Sequence, residues 1–386
     1  MIYADYNGSA PLAPDVKEYL IDRLNKDGPY ANPNAIHFLG SKCLMAIEKS
    51  RKICAEALGA EPYQIIFNSG ASEGISTIFN SLCGHAANKG KKLIFISGIE
   101  HAAVVNAALS YRQHGLEVIT IPTLKNGQVD IAWLGENLRL KAEKTALVCV
   151  MAANNETGVI QPFQEISQMC QRLNLDYFCD TTQFIGKAEF NFKESGLEYA
   201  VLSGHKLGAL PGTGILLVKN PEMIVPLIHG GEQENGLRGG TQNYIGIETL
   251  AVALKYLQKN MHRLEGLKAK RLEFENKMKS QFPKIVIVGE ASPRLAGTSL
   301  IANPGIHGQA VQIELESQDI FVTTSSACSD NQPLTSKVLK SMGVDDDVGR
   351  GVIRIGMGLC SPLESYQQIN DSLIQAYVKL EKINSF

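Results

Sequence analysis

No stretch of this 386-residue chain is apolar for long enough to cross a bilayer. Its longest apolar runs, typified by 146–153, fall far short of the ~20 residues a spanning helix needs. An apolar leader is missing as well, because Asp5 stands where one would have to be uncharged. These two absences predict a cytoplasmic protein with no membrane partner. Excess charge of either sign is also lacking, with 37 Lys and Arg against 39 Asp and Glu for a net charge of -2. Short basic clusters such as Lys89-Gly90-Lys91-Lys92 then read as solvated surface, and no direct nucleic-acid partner is expected. The eight cysteines include no C-x-x-C pair, which argues against a zinc site or disulfide framework and for reduced thiols.

What remains is an ordinary globular composition over a length that suits roughly two or three domains. From residue 91 onward, apolar runs at 93–96, 118–121, 146–150, 177–178 and 200–202 alternate with helical segments. That alternation predicts an α/β fold with a mixed, mostly parallel sheet. Leucines 250, 254, 257, 264, 267 and 272 stripe one or two long helices over 246–281, which join this part to the next. After Pro283, short strands at 285–288, near 300 and at 321–322 surround a helix over 309–318, a smaller α+β domain. The expected boundaries are 15–262 for the large domain and 1–14 with 263–386 for the small one.

Parallel sheets bind ligands beyond the C-terminal ends of their strands. At those ends stand Glu100-His101, Asn154-Asn155-Glu156, Asp180-Thr181-Thr182-Gln183 and Ser203-Gly204-His205-Lys206. Taken singly, His101 could cap a helix, Asn155 shape a turn, Asp180 serve as an N-cap and Lys206 sit on the surface. Taken together they meet the needs of a pyridoxal phosphate site: an amine for the aldehyde and a carboxylate that keeps the pyridine nitrogen protonated. Asp180 precedes Lys206 by 26 residues, room for a crossover helix and a return strand. Asn68-Ser69-Gly70-Ala71-Ser72-Glu73-Gly74 lies between a strand and a helix, where small residues leave N–H groups for a phosphate or for a plain N-cap. Asn7-Gly8-Ser9-Ala10-Pro11 forms a turn after the first strand-sized piece and could face a ligand.

Two further residues stand out in the second half. Arg354 lies in Val352-Ile353-Arg354-Ile355, a strand that would bury its guanidinium beside a carboxylate, either a ligand's or the protein's own. Cys328 alone among the cysteines sits in a polar loop, the exposure that a nucleophilic thiol needs and an idle one also tolerates.

In this order and spacing the segments resemble the NifS/IscS-like cysteine desulfurases of the class V aminotransferase family, from Tyr3 to about the last helix. Gly230-Gly231-Glu232-Gln233-Glu234, Arg238-Gly239-Gly240-Thr241 and Ser325-Ser326-Ala327-Cys328 complete the likeness. The resemblance implies the PLP-dependent transferase fold type I and pyridoxal 5'-phosphate as cofactor. It implies that Lys206 forms the Schiff base, Asp180 pairs with the pyridine nitrogen, Gln183 bonds the ring hydroxyl and His101 stacks on the ring, where it can also carry a proton. Ala71, Ser72, Ser203 and His205 would hold the phosphate, with Thr241 reaching across from the second subunit of a homodimer. Asn155 and Arg354 would meet the substrate L-cysteine, and Cys328 would take its sulfur as a persulfide for an acceptor protein. No metal is implied.

Three turns depart from the family pattern. Ala209-Leu210-Pro211-Gly212 stands where Gly-Pro-Lys-Gly is usual, Arg238-Gly239-Gly240-Thr241 replaces Arg-Ser-Gly-Thr, and Asn7-Gly8-Ser9-Ala10-Pro11 replaces a turn with Ala-Thr-Thr-Pro. The chain ends at Phe386 without the longer tail that some relatives use to grip an iron–sulfur scaffold protein. The alternatives at this stage are a selenocysteine lyase or small-substrate aminotransferase of the same fold, and a non-catalytic sulfur-carrier partner.

Overall fold

The computed structural model describes residues 1–26, 30–324 and 334–384. Its strands in chain order are β1 (Ile2–Tyr3), β2 (Ile65–Asn68), β3 (Leu93–Ser97), β4 (Glu117–Ile121), β5 (Thr145–Cys149) and β6 (Tyr177–Asp180). Then follow β7 (Tyr199–Ser203), β8 (Gly214–Val218), β9 (Val286–Ile287), β10 (Thr298–Ala302), β11 (Ile320–Phe321) and β12 (Val352–Gly356). Seven of them form one sheet in the order β2-β8-β7-β6-β5-β3-β4. Pairing is parallel from β4 through β7, and only β8 runs against its neighbours, so the sheet is mixed and mostly parallel as expected.

Side chains alternate across these strands and give the sheet two apolar faces. Phe95, Val148, Cys179, Ala200 and Leu217 pack on one side with Ile47, Leu58, Leu250 and Leu254 of the helices Phe38–Leu58 and Tyr244–Asn260. Ile94, Leu147, Phe178, Val201 and Leu216 pack on the other with Ile75, Ile78, Phe79 and Val104. The helix Phe38–Leu58 ends at Gly59, whose φ of +62° suits glycine. Among the described residues no helix is long and apolar enough to cross a membrane.

The remaining strands build a second layer. β9, β10 and β12 form an antiparallel sheet, and β1 pairs with β11, so the first residues of the chain lie against the last strands. Asp5 bridges Gly356 and Thr323 bridges Arg354, which carries the N-terminal segment across into the same layer. Phe274, Met278, Ile301, Ile353, Ile355, Leu373 and Tyr377 fill its core.

A buried Arg271–Glu275–Arg294 cluster fastens this layer to the large sheet. Glu275, 1% exposed, accepts from Arg271 at 3.0 Å and from both terminal nitrogens of Arg294 at 2.7 and 2.8 Å. Arg294 pairs with Val159, and Leu295 donates to the Gly158 carbonyl at 2.9 Å, which pins the loop after β5. Replacing Glu275 with Gln leaves two buried guanidinium groups without an anion. The expected cost is about 3–5 kcal/mol, read as a lower urea midpoint at unchanged slope.

Candidate active site

The polar groups singled out in the sequence do converge on one edge of the large sheet. β3, β5, β6 and β7 are parallel, so Asp180 at the end of β6 and His101, Asn155 and Lys206 beyond the ends of β3, β5 and β7 share one edge. β6 and β7 are neighbours in register, Asp180 opposite Val201, which brings the carboxylate end and the lysine turn side by side.

The start of a helix, a hydroxyl and an imidazole lie at this edge. The helix Ala71–Cys83 starts from Gly70 with no side chain capping it, so its first N–H groups point out of the helix end. A Cβ on Gly70, whose φ is +149°, would lie 3.3 Å from the Ser203 hydroxyl, so the backbone opens toward that side chain. His205 follows on the turn Gly204–Lys206, its Nδ1 3.2 Å from the Ser9 hydroxyl. Burial, then the neighbouring Lys206 and Lys187, pushes His205 below the usual imidazole range. Neutral donors at a helix N-terminus suit a dianionic phosphate without adding charge to be neutralised elsewhere.

Asp180 is buried and accepts the Thr182 N–H at 2.9 Å through Oδ1. The Thr182 hydroxyl and Arg354 Nε are buried with no hydrogen-bond partner among the described residues. Such groups call for a ligand or water. His101 is exposed, and its Nδ1 accepts from the Ala103 N–H at 3.1 Å, so it does cap the helix Ala102–Ser110. In the neutral ring that leaves the proton on Nε2. The donor set, the uncapped helix start and the unpartnered polar atoms all fit a phosphorylated pyridine aldehyde.

The lysine itself is half-buried and tied down. Lys206 Nζ donates to the main-chain carbonyls of Asn7 at 2.8 Å and of Gly8. The same Asn7 carbonyl accepts Gln183 Nε2 at 2.9 Å, while Lys187 Nζ donates to Gln183 Oε1 at 2.5 Å and to Asn7 Oδ1 at 3.0 Å. Asn7 Nδ2 donates to the Asn155 carbonyl at 3.2 Å and to the Thr298 hydroxyl at 3.1 Å. Arg354 Nη1 reaches that Asn155 carbonyl at 3.1 Å, and Nη2 forms an ion pair with Asp5 at 2.7 Å. The carboxylate beside Arg354 is therefore the protein's own.

Two motif residues turn out to shape the backbone. Asn154 is fully buried, accepting from Glu156 and Thr157 N–H groups and donating to the Ile99 carbonyl, which turns the loop so that Asn155 reaches the site. Arg238 pairs with Glu73 at 2.8 and 3.2 Å and lashes the segment before Thr241 to the first turn of the helix Ala71–Cys83. Thr241 itself is exposed. Gly239 has a reason to depart from serine, because a Cβ there would lie 2.5 Å from the Gly230 nitrogen.

Cys328 lies outside the described residues. Of the seven described cysteines, Cys43, Cys54, Cys83, Cys149, Cys170 and Cys179 are buried and Cys360 is half-buried. Burial pushes Cys54, Cys83 and Cys170 up to about 12, and Cys149 and Cys179 well up also. Those five are not thiolates near neutral pH.

A family model described as Aminotransferase class-V matches residues 2–368. The chain belongs to the class-V aminotransferase family. It is 31% identical over 389 residues to a protein named cysteine desulfurase IscS from Dictyoglomus turgidum, covering all of this chain and 96% of that one. A solved structure named NifS-like protein matches with a TM-score of 0.89 and 30% identity, over 98% of this chain and 100% of that one. Another, SspA in complex with cysteine, matches at 0.80 and 27%, over 94% and 100%. These relatives put the chain in the NifS/IscS-like group of the family and its architecture in fold type I.

Against the family's motifs, sequence reasoning missed Asn7 and Lys187. Lys187 was detectable as the residue four places beyond Gln183, whereas Asn7 gave only a polar turn with no hint of its many partners.

Two carboxyl groups in the site couple stability to pH. Burial pushes Glu100 up to about 8, the Asp180 charge adding to it against the pull of the Ser97 hydroxyl and the Met151 N–H. Burial pushes Glu156 to about 7 against the Ser336 hydroxyl and Arg354. Both hold protons when folded that the unfolded chain releases near 4.5. The stability they confer is complete below that value and is lost as pH rises through about 7 to 8. Chemical denaturation from pH 5 to 9 is expected to show this decline, and Glu100→Gln to flatten it by up to about 1.4 kcal/mol per pH unit. An unaltered slope in that variant would mean that Glu100 is ionised in the folded protein.

Proposed function

We propose that the chain is a pyridoxal 5'-phosphate-dependent cysteine desulfurase, converting L-cysteine to L-alanine and passing the sulfur through a persulfide on Cys328 to an acceptor protein. One observation carries the reading: Lys206, Gln183, Asn155 and Arg354 all make hydrogen bonds in a single network centred on Asn7, beside Asp180 and an uncapped helix N-terminus. The full-length likeness to proteins named cysteine desulfurase, and to a relative solved with cysteine, supports it.

When bound, the cofactor supplies an aldehyde for amine exchange and a ring that accepts electrons from the substrate α-carbon. The phosphate would be held by the Ala71 and Ser72 N–H groups, Ser203 and His205, with Thr241 of a second copy completing a homodimeric site. Asp180, whose Oδ1 accepts the Thr182 N–H, would keep the ring nitrogen protonated through Oδ2, Gln183 Nε2 would offer its second N–H to the ring hydroxyl, and the His101 imidazole would stack on the ring. Arg354 binds the substrate carboxylate, exchanging Asp5 for it, and Asn155 orients the same group. Lys206 Nζ, once released, removes the α-proton and holds it between the carbonyls of Asn7 and Gly8. His101 Nε2 carries a proton to or from the substrate sulfur. The Cys328 thiolate attacks that sulfur, the bond from sulfur to the β-carbon breaks, the β-carbon gains a proton to become the methyl group of alanine, and Lys206 returns a proton to the α-carbon. Residues 15–262 form the large domain of this reading and 1–14 with 263–386 the small one, consistent with the pairing of β1 with β11.

Borohydride reduction of the coloured protein followed by peptide mapping is expected to place the label on Lys206, and a label elsewhere would sink the assignment. Cys328→Ser should keep the cofactor band and lose the persulfide, with dithiothreitol-dependent sulfide release down by about 100-fold or more; undiminished release would refute the thiol's role. Arg354→Ala removes a charge-assisted pair worth roughly 2–3 kcal/mol and should raise KM for L-cysteine about 30- to 150-fold.

A further inference from the structure

Lys187 lies between β6 and β7, four residues past Gln183, and the roles above leave it unused. Its Nζ meets three acceptors: Gln183 Oε1 at 2.5 Å, Asn7 Oδ1 at 3.0 Å and the Tyr6 carbonyl at 3.5 Å. Neither amide is free to turn over. Gln183 Nε2 must donate to the Asn7 carbonyl and Asn7 Nδ2 to the Asn155 carbonyl, so both amide oxygens face the lysine. An amine surrounded by acceptors has a place for each of the three N–H groups of its ammonium form.

Lys206 reaches the same residue from its other side, donating to the Asn7 carbonyl. A cavity of about 20 Å³, room for one water, is lined by both lysines with Tyr6, Leu257 and Cys360. The charged groups acting on Lys187 are Lys206, Arg354 and the Asp5 carboxylate, Tyr6 and Cys360 line the same cavity, His205 lies near both lysines, and the Asp180 carboxylate ends β6 beside the Lys206 turn. Burial, then the cations Lys206 and Arg354, pushes Lys187 well below the usual lysine range, and Asp5 opposes this, as do the three acceptor oxygens, which bond the ammonium form. Two amines this close compete for protons, so a proton kept on one is lost more readily from the other.

Resting on the assignment of Lys206 above, we propose that Lys187 is a positioning residue of the site. Its ammonium locks the Gln183 and Asn7 amides in one orientation, and its charge makes the Lys206 nitrogen give up its proton at lower pH. The test uses the full-length holoenzyme and its variants Lys187→Met, Lys187→Gln and Lys187→Arg, with the pH titration of the visible cofactor band as the readout. The midpoint is expected to rise by about one pH unit or more in the Met and Gln variants, as loss of a like charge at this range requires. Arginine keeps the charge and should restore the midpoint toward that of the wild type. A lysine that merely supports the fold would change melting temperature or cofactor content and leave the midpoint alone. An unmoved midpoint in the neutral variants overturns the proposal. If the Met variant fails to hold cofactor, the Gln variant, which retains a donor for Gln183, carries the same test. A wild-type protein without a visible band, or with borohydride label away from Lys206, would instead defeat the assignment of Lys206, so the two failures are distinct.

Discussion

Asn7, 1% exposed, uses both ends of its amide and its main-chain carbonyl to join four segments that are remote in sequence. Through it the first turn of the chain touches the lysine after β7, the glutamine after β6, the loop after β5 and Thr298 on β10. A buried amide with every donor and acceptor engaged is costly to disturb, because each lost partner leaves another polar group stranded. The relative placement of the two layers is thus written into the same bonds that hold the site. That is why a segment of a few residues at the start of the chain lies among the last strands and not on the outside.

Around this node, ion pairs hold the loops in place. Glu234 accepts both terminal nitrogens of Arg51 and the Phe67 N–H, and sits at a φ of +49° that a non-glycine residue adopts only under constraint. Arg238 and Glu73 repeat the device at the start of the helix Ala71–Cys83, where Arg238 and the Ser69 N–H hold the Glu73 carboxyl below its usual range despite burial. Buried pairs of this kind add little net stability, since desolvation offsets attraction, but they fix geometry. The Asp5–Arg354 pair differs in kind: it satisfies a guanidinium that would otherwise stand buried without an anion, and it can be exchanged for another carboxylate without changing the local charge.

Much of this was legible in the sequence. The strands from β3 to β7 followed from alternating apolar runs, and the polar residues at their ends came from the rule for parallel sheets, which depends only on local pattern and topology. Arg354 was read as buried beside a carboxylate, but whether that carboxylate belonged to a ligand or to Asp5 is a matter of a contact between residues 349 positions apart. Asn154 and Asn155 look alike in the sequence; the turn that buries one and frees the other depends on the Ile99 carbonyl in a different loop. Asn7 was hardest to find, because an asparagine next to a glycine has the signature of a turn whatever its amide does.

The sequestered thiols bear on the chemistry in a way that pattern alone would not suggest. A catalyst that generates a mobile, electrophilic sulfur atom is its own nearest target, and every reactive thiol within reach would drain the product into self-modification. Five sulfhydryls locked in the core stay protonated far past neutrality, and burial raises the half-buried Cys360 thiol beside Lys206 as well, which narrows those side channels without any dedicated guard. Selectivity in sulfur traffic then comes from where the fold refuses nucleophiles as much as from where it offers one.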